Sequence, residues 1–219
     1  RRYYTNIVGK YGPQVQAVLK KAETLDIQML LPLHGFVWRE ELGYLLGKYD
    51  LWSRYEPEVR GVMIAYASVY GGTENAANVL ACRLAEQGVQ VKMFDVSVTP
   101  APYVVSDAFK YSHLVFASAT YNMGIFVTME NLLHDIAAHA LADRRYALIE
   151  NGTWSPASGK KMDALLSPLK GCSAVEPVLT VKSALRPDQA AQMQRLADAI
   201  AADVKAEQTE EDDSGEGKH

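Results

Sequence analysis

Apolar and polar positions alternate in a regular way along most of the chain. From residue 59 onward, short and nearly continuous apolar runs alternate with longer segments whose apolar residues recur at helical spacing. Strands that are apolar on both faces belong to parallel sheets covered by helices on both sides. The pattern therefore predicts an α/β fold with a doubly wound, five-stranded parallel sheet. The predicted strands are residues 59–67, 89–96, 113–117, 146–150 and 174–181, and the predicted helices are residues 73–87, 104–110, 128–142, 158–170 and 187–205.

The two ends of the chain fall outside this pattern. The first 57 residues predict two helices around one short strand, which is too little for a separate domain because a single strand has no sheet to join. These elements are the helix at residues 11–25, the strand at 27–31 and the helix at 40–49. The last 13 residues, 207–219, are acidic and contain no apolar side chain, so they predict a disordered tail. We therefore divide the chain into residues 1–57, 58–206 and 207–219.

The charge, apolar stretches and cysteine count of the chain limit the partners and the cellular location that we expect. The 219 residues carry a formal net charge of −4, which gives no reason to expect nucleic acid or an anionic membrane as a partner. No apolar stretch approaches the ~20 residues of a membrane-spanning helix. Two cysteines are too few for a disulfide framework, so we expect a cytoplasmic protein with reduced thiols.

The loop after the first predicted strand has the chemistry of an anion site. Ser68-Val69-Tyr70-Gly71-Gly72-Thr73 combines three hydroxyls with two glycines that allow close backbone approach, directly before a helix N-terminus. The loop lacks the Gly-Lys-Ser/Thr ending of a P-loop and the Gly-x-Gly-x-x-Gly of a dinucleotide site. A neutral cradle of this kind suits one phosphate monoester, although the loop alone is equally compatible with an ordinary glycine-rich turn.

Two further loops at the same predicted sheet edge favour a ligand. The loop after the third strand, residues 118–126, mixes polar groups with aromatic and apolar ones, and the loop after the fourth, residues 151–156, adds a glycine, two hydroxyls and Trp154. A flat heteroaromatic ring with a polar edge needs both kinds of group. Because ligands of doubly wound sheets bind outside the carboxyl ends of the strands, the three loops together predict one site.

These motifs resemble those of a known family. Residues 59–205 look like a flavodoxin-like domain with strand order 2-1-3-4-5, and residues 68–74 resemble its phosphate loop. Ahead of that domain, Tyr3-Tyr4-Thr5-Asn6-Ile7, Pro32-Leu33-His34-Gly35 and Trp38-Arg39 resemble the flavodiiron proteins. In that family a metallo-β-lactamase-like domain with a diiron centre precedes the flavodoxin domain, and the enzyme reduces oxygen or nitric oxide. The resemblance thus implies that residues 1–57 are the C-terminal remnant of the metal domain.

The resemblance also implies site residues. FMN would be the cofactor, with its phosphate at the first loop and its ring between the other two. The residues assigned to FMN are Ser68, Val69, Tyr70, Gly71, Gly72, Thr73, Ser118, Ala119, Thr120, Tyr121, Asn122, Met123, Gly124, Gly152, Thr153, Trp154 and Ser155. His34 corresponds to the last histidine ligand of the diiron site. The other ligands of the family are absent, so this chain is expected to hold diiron only if an upstream piece supplies them.

Three departures from the family pattern bear on the ring. Ala119 replaces a usual proline, Met123 replaces a frequent second asparagine, and Glu150-Asn151 replaces a frequent Gly-Ser. The Met123 side chain cannot make the hydrogen bond to the flavin edge that an asparagine would make. A backbone N–H would then make that bond, or it would be lost. Glu150, if it lies near the ring, would disfavour negative charge on reduced flavin by like-charge repulsion.

The predicted function is that of an FMN-binding electron-transfer domain of a flavodiiron-type oxygen or nitric oxide reductase. The implied partners are a redox donor such as rubredoxin or a reductase, and a second copy of the intact protein in a head-to-tail dimer. Two alternatives remain open. One is an NAD(P)H-dependent flavin or quinone reductase, for which the sequence shows no basic cluster that would bind a 2′-phosphate. The other is a flavodoxin-like scaffold without flavin.

Overall fold

The alternating apolar runs form one sheet in the structure, a computed structural model that describes residues 1–215. The strands are β1 (Val59–Ala67), β2 (Val91–Asp95), β3 (Tyr111–Tyr121), β4 (Gly124–Ile125), β5 (Arg145–Asn151), β6 (Ser173–Ala174) and β7 (Leu179–Val181). The helices are α1 (Gly12–Ala22), α2 (Leu42–Ser53), α3 (Gly72–Glu86), α4 (Ala101–Lys110), α5 (Val127–Ala138), α6 (Ser158–Leu166) and α7 (Ala190–Gly215).

The strand order confirms the predicted flavodoxin-like topology. The sheet runs β2-β1-β3-β5, and both β6 and β7 then pair with β5, so they share the place of the fifth predicted strand. All of these pairings are parallel, and only the short β4 runs antiparallel to β3. The fifth strand is divided after Val175, whose N–H still donates to the Tyr146 carbonyl at 2.8 Å, and the break contains Pro177, which has no N–H to donate.

The sheet separates two apolar cores. Successive side chains of a strand point to opposite faces. On one face, Met63 and Phe116 pack with α4, α5 and α6, and on the other, Ile64 and Val115 pack with α3 and α7. Both faces of the central strands are therefore buried, which explains why those strands are apolar without alternation. Among residues 1–215, no helix combines the length and the apolar content needed to cross a bilayer.

The N-terminal segment forms two helices that pack on each other, preceded by a π-helical turn that packs on α4. A π-helical turn (Tyr4–Val8) and a 3₁₀ turn (Gly9–Tyr11) lead into α1. The predicted strand at residues 27–31 is wrong, because only an isolated antiparallel bridge joins Leu30 to Trp38. The predicted boundary between residues 57 and 58 remains a prediction.

Two buried charges connect the N-terminal segment to the sheet domain. The Glu58 carboxylate accepts hydrogen bonds from Arg1, Lys48 and the indole of Trp52 at 2.8–2.9 Å. Although burial raises the pKa of Glu58, these donors lower it to about 2. The fully buried Arg144 guanidinium donates to the carbonyls of Tyr55, Ala108 and Phe109. These bonds cross from one part of the chain to the other and fix their relative position.

The last helix is longer than the sequence pattern indicates. α7 continues to Gly215, beyond the predicted end at residue 205 and through most of the segment predicted to be disordered. Its extension is supported by Glu207, which lies 3.2 Å from the Arg60 guanidinium, and by Gln208, whose amide donates to the Arg60 carbonyl. The remaining residues of the predicted tail, 216–219, lie outside the described part of the chain.

Candidate functional site

One cavity of about 580 Å³ opens at the carboxyl ends of β1, β3 and β5. The three loops singled out in the sequence converge there, at the point where the strand order of a doubly wound sheet reverses. Fourteen of the assigned residues line it: Ser68, Val69, Tyr70, Gly72, Thr73, Ala119, Thr120, Tyr121, Asn122, Met123, Gly152, Thr153, Trp154 and Ser155. The lining carries no charged side chain, so a ligand here is recognised by backbone dipoles, hydroxyls and aromatic surface.

The first loop presents the N-terminus of α3 to the cavity. Gly71 has φ +84° and its N–H donates to Ser68 Oγ at 3.0 Å, which closes the turn. Within the described chain, no side chain caps the first turn of α3, so its N–H groups and the positive end of the helix dipole are available to an anion. Gly71 itself does not line the cavity. Its role is to allow the positive φ that the turn requires.

Gly72 allows two loops to touch. A Cβ added at Gly72 would lie 1.9 Å from the carbonyl oxygen of Ser183, so no other residue fits without a shift of the backbone. The turn that contains Ser183 therefore packs directly on the end of the first loop, where α3 begins.

The second loop is a tight hairpin between β3 and β4. Tyr121 pairs with Gly124, and the two residues between them, Asn122 and Met123, have φ of +47° and +59°. Two positive φ values at the centre of a two-residue hairpin define a type I′ turn. Asparagine tolerates this conformation, whereas Met123 is held there against its preference. Gly124 lies in the strand pair rather than on the cavity wall.

Two aromatic side chains stand free at the cavity rim. Tyr70 and Trp154 are each 97% exposed although both line the cavity. Below Trp154, Gly152 passes close to Thr120 and Pro156, and its N–H donates to the Val181 carbonyl at 3.1 Å. Exposed aromatic rings beside an uncharged cavity are suited to stacking on a flat ligand.

Besides Ser68, two of the assigned residues have hydroxyls that are engaged within the protein. Ser118 is fully buried, and its Oγ donates to the Ala119 carbonyl and accepts from the Phe126 N–H, so its side chain holds the hairpin instead of facing the cavity. Thr120 Oγ1 accepts from the N–H groups of Ala157 and Ser158 at the start of α6. Thr120 therefore contributes to the cavity mainly through its backbone.

Glu150 does not face the cavity. Its carboxylate accepts hydrogen bonds from the Gly159 N–H at 2.9 Å and from Thr180 Oγ1 at 2.7 Å. The carboxylate is thus bound at the first turn of α6. Because it does not face the cavity, it is not placed to repel negative charge on a flavin bound there.

Three lining residues were missed by the sequence reasoning: Asn151, Ser183 and Ala184. The Asn151 side chain makes two 2.9 Å hydrogen bonds to the backbone of Ser183, which has φ +70°. Ser183 and Ala184 follow the fifth predicted strand, whose carboxyl end lies at the same sheet edge as the other three. The end of that strand is therefore the feature of the sequence that points to Ser183 and Ala184.

His34 lies far along the chain from this cavity and is not part of a metal cluster. Its ring stacks on Tyr3 with centroids 4.4 Å apart. Among the described residues, no group of three or more His, Cys, Asp or Glu side chains is placed to hold a metal ion.

Comparisons with known proteins extend over nearly the whole chain. The chain is 24% identical over 205 residues to the nitric oxide reductase of Moorella thermoacetica, covering 93% of this chain and 51% of that protein. Its fold matches the rubredoxin oxygen:oxidoreductase of Desulfovibrio gigas with a TM-score of 0.87 and 24% identity, covering 94% of this chain and 52% of that one. The flavodiiron protein of Giardia intestinalis matches with a TM-score of 0.85 and 21% identity over the same shares.

The predicted resemblance to flavodiiron proteins is thus confirmed, and the chain spans about half the length of these relatives. The family model described as Flavodoxin matches residues 64–197, which hold the second half of β1, all of β3 and β5, and all three loops of the cavity. The chain therefore belongs to the flavodoxin family.

Proposed function

We propose that the chain is the FMN-binding electron-transfer domain of a flavodiiron-type oxygen or nitric oxide reductase. The single observation that carries this proposal is the uncharged cavity that unites an uncapped helix N-terminus with two free aromatic rings. A phosphate monoester fits the first feature and a flat heteroaromatic ring fits the second. The same pair of features gives no support to a nucleoside triphosphate, which needs a cation in the loop.

In this proposal the loops divide the ligand between them. The N–H groups at the start of α3, with Ser68 and Thr73, hold the phosphate. The Asn122–Met123 turn offers backbone groups to the polar edge of the ring, and Tyr70 and Trp154 cover its faces. The bound flavin would supply the redox chemistry, while the protein contributes binding, orientation and electrostatics.

The partners belong to the same proposal. Electrons would come from an external donor of the rubredoxin or reductase type and go to a diiron site whose ligands lie outside the described residues. Such a site would be completed by the intact protein, in which a head-to-tail dimer is the arrangement implied by the family resemblance. We also propose that the protein is located in the cytoplasm.

The phosphate assignment is tested with Thr73→Val, which keeps the shape of the side chain and removes the hydroxyl. Loss of one hydrogen bond to a charged group costs about 1.5–3 kcal/mol, so the Kd for FMN should rise about 10- to 150-fold. Riboflavin lacks the phosphate, so its Kd should not change. Both values are read from flavin fluorescence titrations.

The matched control is Thr128→Val on α5, since the Thr128 hydroxyl is buried without a partner in the described structure. This variant should bind FMN as the native chain does. Equal FMN affinity in Thr73→Val and in the native chain would contradict the assignment of the phosphate to this loop. If the native chain did not bind FMN at all, a scaffold role would be favoured.

A further inference from the structure

A tight turn at residues 182–184 follows β7 and adds a fourth segment to the wall of the candidate cavity. The Ala184 N–H donates to the Lys182 carbonyl at 3.0 Å, and Ser183 between them has φ +70°. A hydrogen bond between residues two apart, around a central residue with positive φ, is the mark of the rare form of γ-turn. Serine does not favour this conformation, so the surrounding structure has to hold the turn in place.

The Asn151 side chain holds this turn. Its Nδ2 donates to the Ser183 carbonyl and its Oδ1 accepts from the Ser183 N–H, both at 2.9 Å. One side-chain amide thus satisfies both backbone groups of a single residue. Asn151 is largely buried, and hydrogen bonds in such surroundings are stronger than in water. The two bonds therefore fix the turn to the end of β5.

The turn is held against the start of α3. The Ser183 carbonyl oxygen occupies the space that a Cβ on Gly72 would need, and Asn151 Nδ2 lies 3.2 Å from that Cβ position. Gly72 is the first residue of α3, whose free N–H groups form the proposed phosphate site. The turn therefore borders the phosphate end of the ligand rather than its ring.

One polar group of the turn is left for a ligand. Ser183 is exposed and lines the cavity, and within residues 1–215 its hydroxyl has no hydrogen-bond partner. Its two backbone groups, by contrast, are both bound to Asn151. A serine hydroxyl can donate one hydrogen bond to an anion, so Ser183 Oγ is a suitable donor to a phosphate oxygen bound at the start of α3.

We propose that Asn151 is a positioning residue of the candidate flavin site: by holding the residue 182–184 turn against α3, it places the Ser183 hydroxyl as a further donor to the flavin phosphate. This inference rests on the proposed function, because it adds a fourth segment to the phosphate subsite of that function. Asn151 acts through the turn, since both polar atoms of its side chain are bound to Ser183.

The test uses two variants of the site and one matched control. Ser183→Ala removes the exposed hydroxyl and keeps the backbone bonds to Asn151, whereas Asn151→Ala removes both bonds and releases the turn. The control is Gln189→Ala. The Gln189 amide also makes two backbone hydrogen bonds, to the Thr180 carbonyl at 2.8 Å and from the Arg186 N–H at 3.3 Å, but Gln189 does not line the cavity. Flavin fluorescence titrations give the Kd for FMN and for riboflavin, and urea denaturation shows that each variant is folded.

In Ser183→Ala the Kd for FMN should rise about 10- to 150-fold, as expected for the loss of one hydrogen bond to a charged group, and the Kd for riboflavin should not change. Asn151→Ala should raise the ratio of the FMN Kd to the riboflavin Kd by a similar factor. Because both substitutions remove the same contact, the double variant should bind FMN at most about twofold more weakly than the weaker single variant. Gln189→Ala should keep the native ratio, whatever its stability.

Native FMN affinity in Ser183→Ala would overturn the proposal, and so would effects of the two substitutions that multiply in the double variant. An equal change of the Kd ratio in Gln189→Ala would also overturn it, because the effect would then follow from lost stability alone. A native chain that binds no FMN would refute the proposed function, and this inference with it.

Discussion

Gly72 is the residue at which the two parts of the candidate site depend on each other most closely. It begins α3, it lines the cavity, and it has the carbonyl of Ser183 where a Cβ would stand. The sequence shows that the loop is rich in glycine, but the reason lies in a residue more than one hundred positions away. Close approach of two backbones, rather than turn conformation, explains a glycine here.

The substitution Gly72→Ala should therefore damage both binding and stability. The added methyl group forces the residue 182–184 turn away from α3, so we expect at least a tenfold weaker affinity for FMN and a loss of about 1–3 kcal/mol in the free energy of unfolding. Flavin titration and urea denaturation measure the two effects. Gly47→Ala on the open surface of α2 is the control and should raise the unfolding free energy by about 0.5–1 kcal/mol. An unchanged FMN affinity in Gly72→Ala would show that the two loops do not act together.

Other residues of the site show the same limit of sequence reasoning. The hydroxyls of Ser118 and Thr120 were assigned to the ligand because they occur in the right loop. In the structure they serve the hairpin and the start of α6 instead. Their partners, Phe126 and Ala157, are brought close by tertiary packing, which no local pattern records. The sequence predicted the loops that converge on the cavity, but it could not tell which of their atoms were already engaged.

At the level of elements, the central strands of the sheet were predictable from the sequence, but the division of the last strand and the length of α7 were not. β1 begins and ends where its apolar run does, because a strand buried on both faces has a continuous signal. The extension of α7 is accompanied by long-range contacts, such as that of Glu207 with Arg60. An acidic segment without apolar residues gives no local indication that it continues a helix.

α7 is held to the sheet by a buried group of side chains around His113. The imidazole is 1% exposed, with one ring nitrogen 2.8 Å from Ser112 Oγ and the other 3.2 Å from Asp203 on α7. Asp203 also accepts from Arg145 at 2.6 Å, and Arg60 and Glu207 lie beside the group. Burial lowers the pKa of His113 to about 4, although the Asp203 carboxylate acts in the opposite direction.

This pKa predicts a pH dependence of stability. An unfolded histidine titrates near 6.5, so between about pH 6.5 and pH 4 the unfolded chain binds a proton that the folded chain refuses. The free energy of unfolding should therefore fall by about 2–3 kcal/mol as the pH drops through that window, at about 1.4 kcal/mol per pH unit. Urea midpoints between pH 7 and pH 4 measure the decline. In His113→Gln the decline should be much smaller, whatever the stability of the variant at pH 7, and an equal slope in both chains would contradict the assignment.

At the scale of the whole molecule, two regions hold most of the large apolar side chains that are exposed. One is the rim of the candidate cavity, with Tyr70, Met123 and Trp154, and the other is the N-terminal segment, where Leu33 is 98% exposed. The cavity rim matches a flat ligand. The N-terminal segment, by contrast, forms neither a sheet nor a metal site among the described residues.

The central claim is that the cavity is an FMN site, and the most direct measurement is reconstitution of the purified, flavin-free chain. The chain is titrated with FMN while flavin absorbance and fluorescence are followed, and the bound cofactor is then released and identified. We predict saturable binding of one FMN per chain, with quenched flavin fluorescence and a weaker affinity for riboflavin. FMN that remains free and fully fluorescent in the presence of excess folded chain would contradict the account.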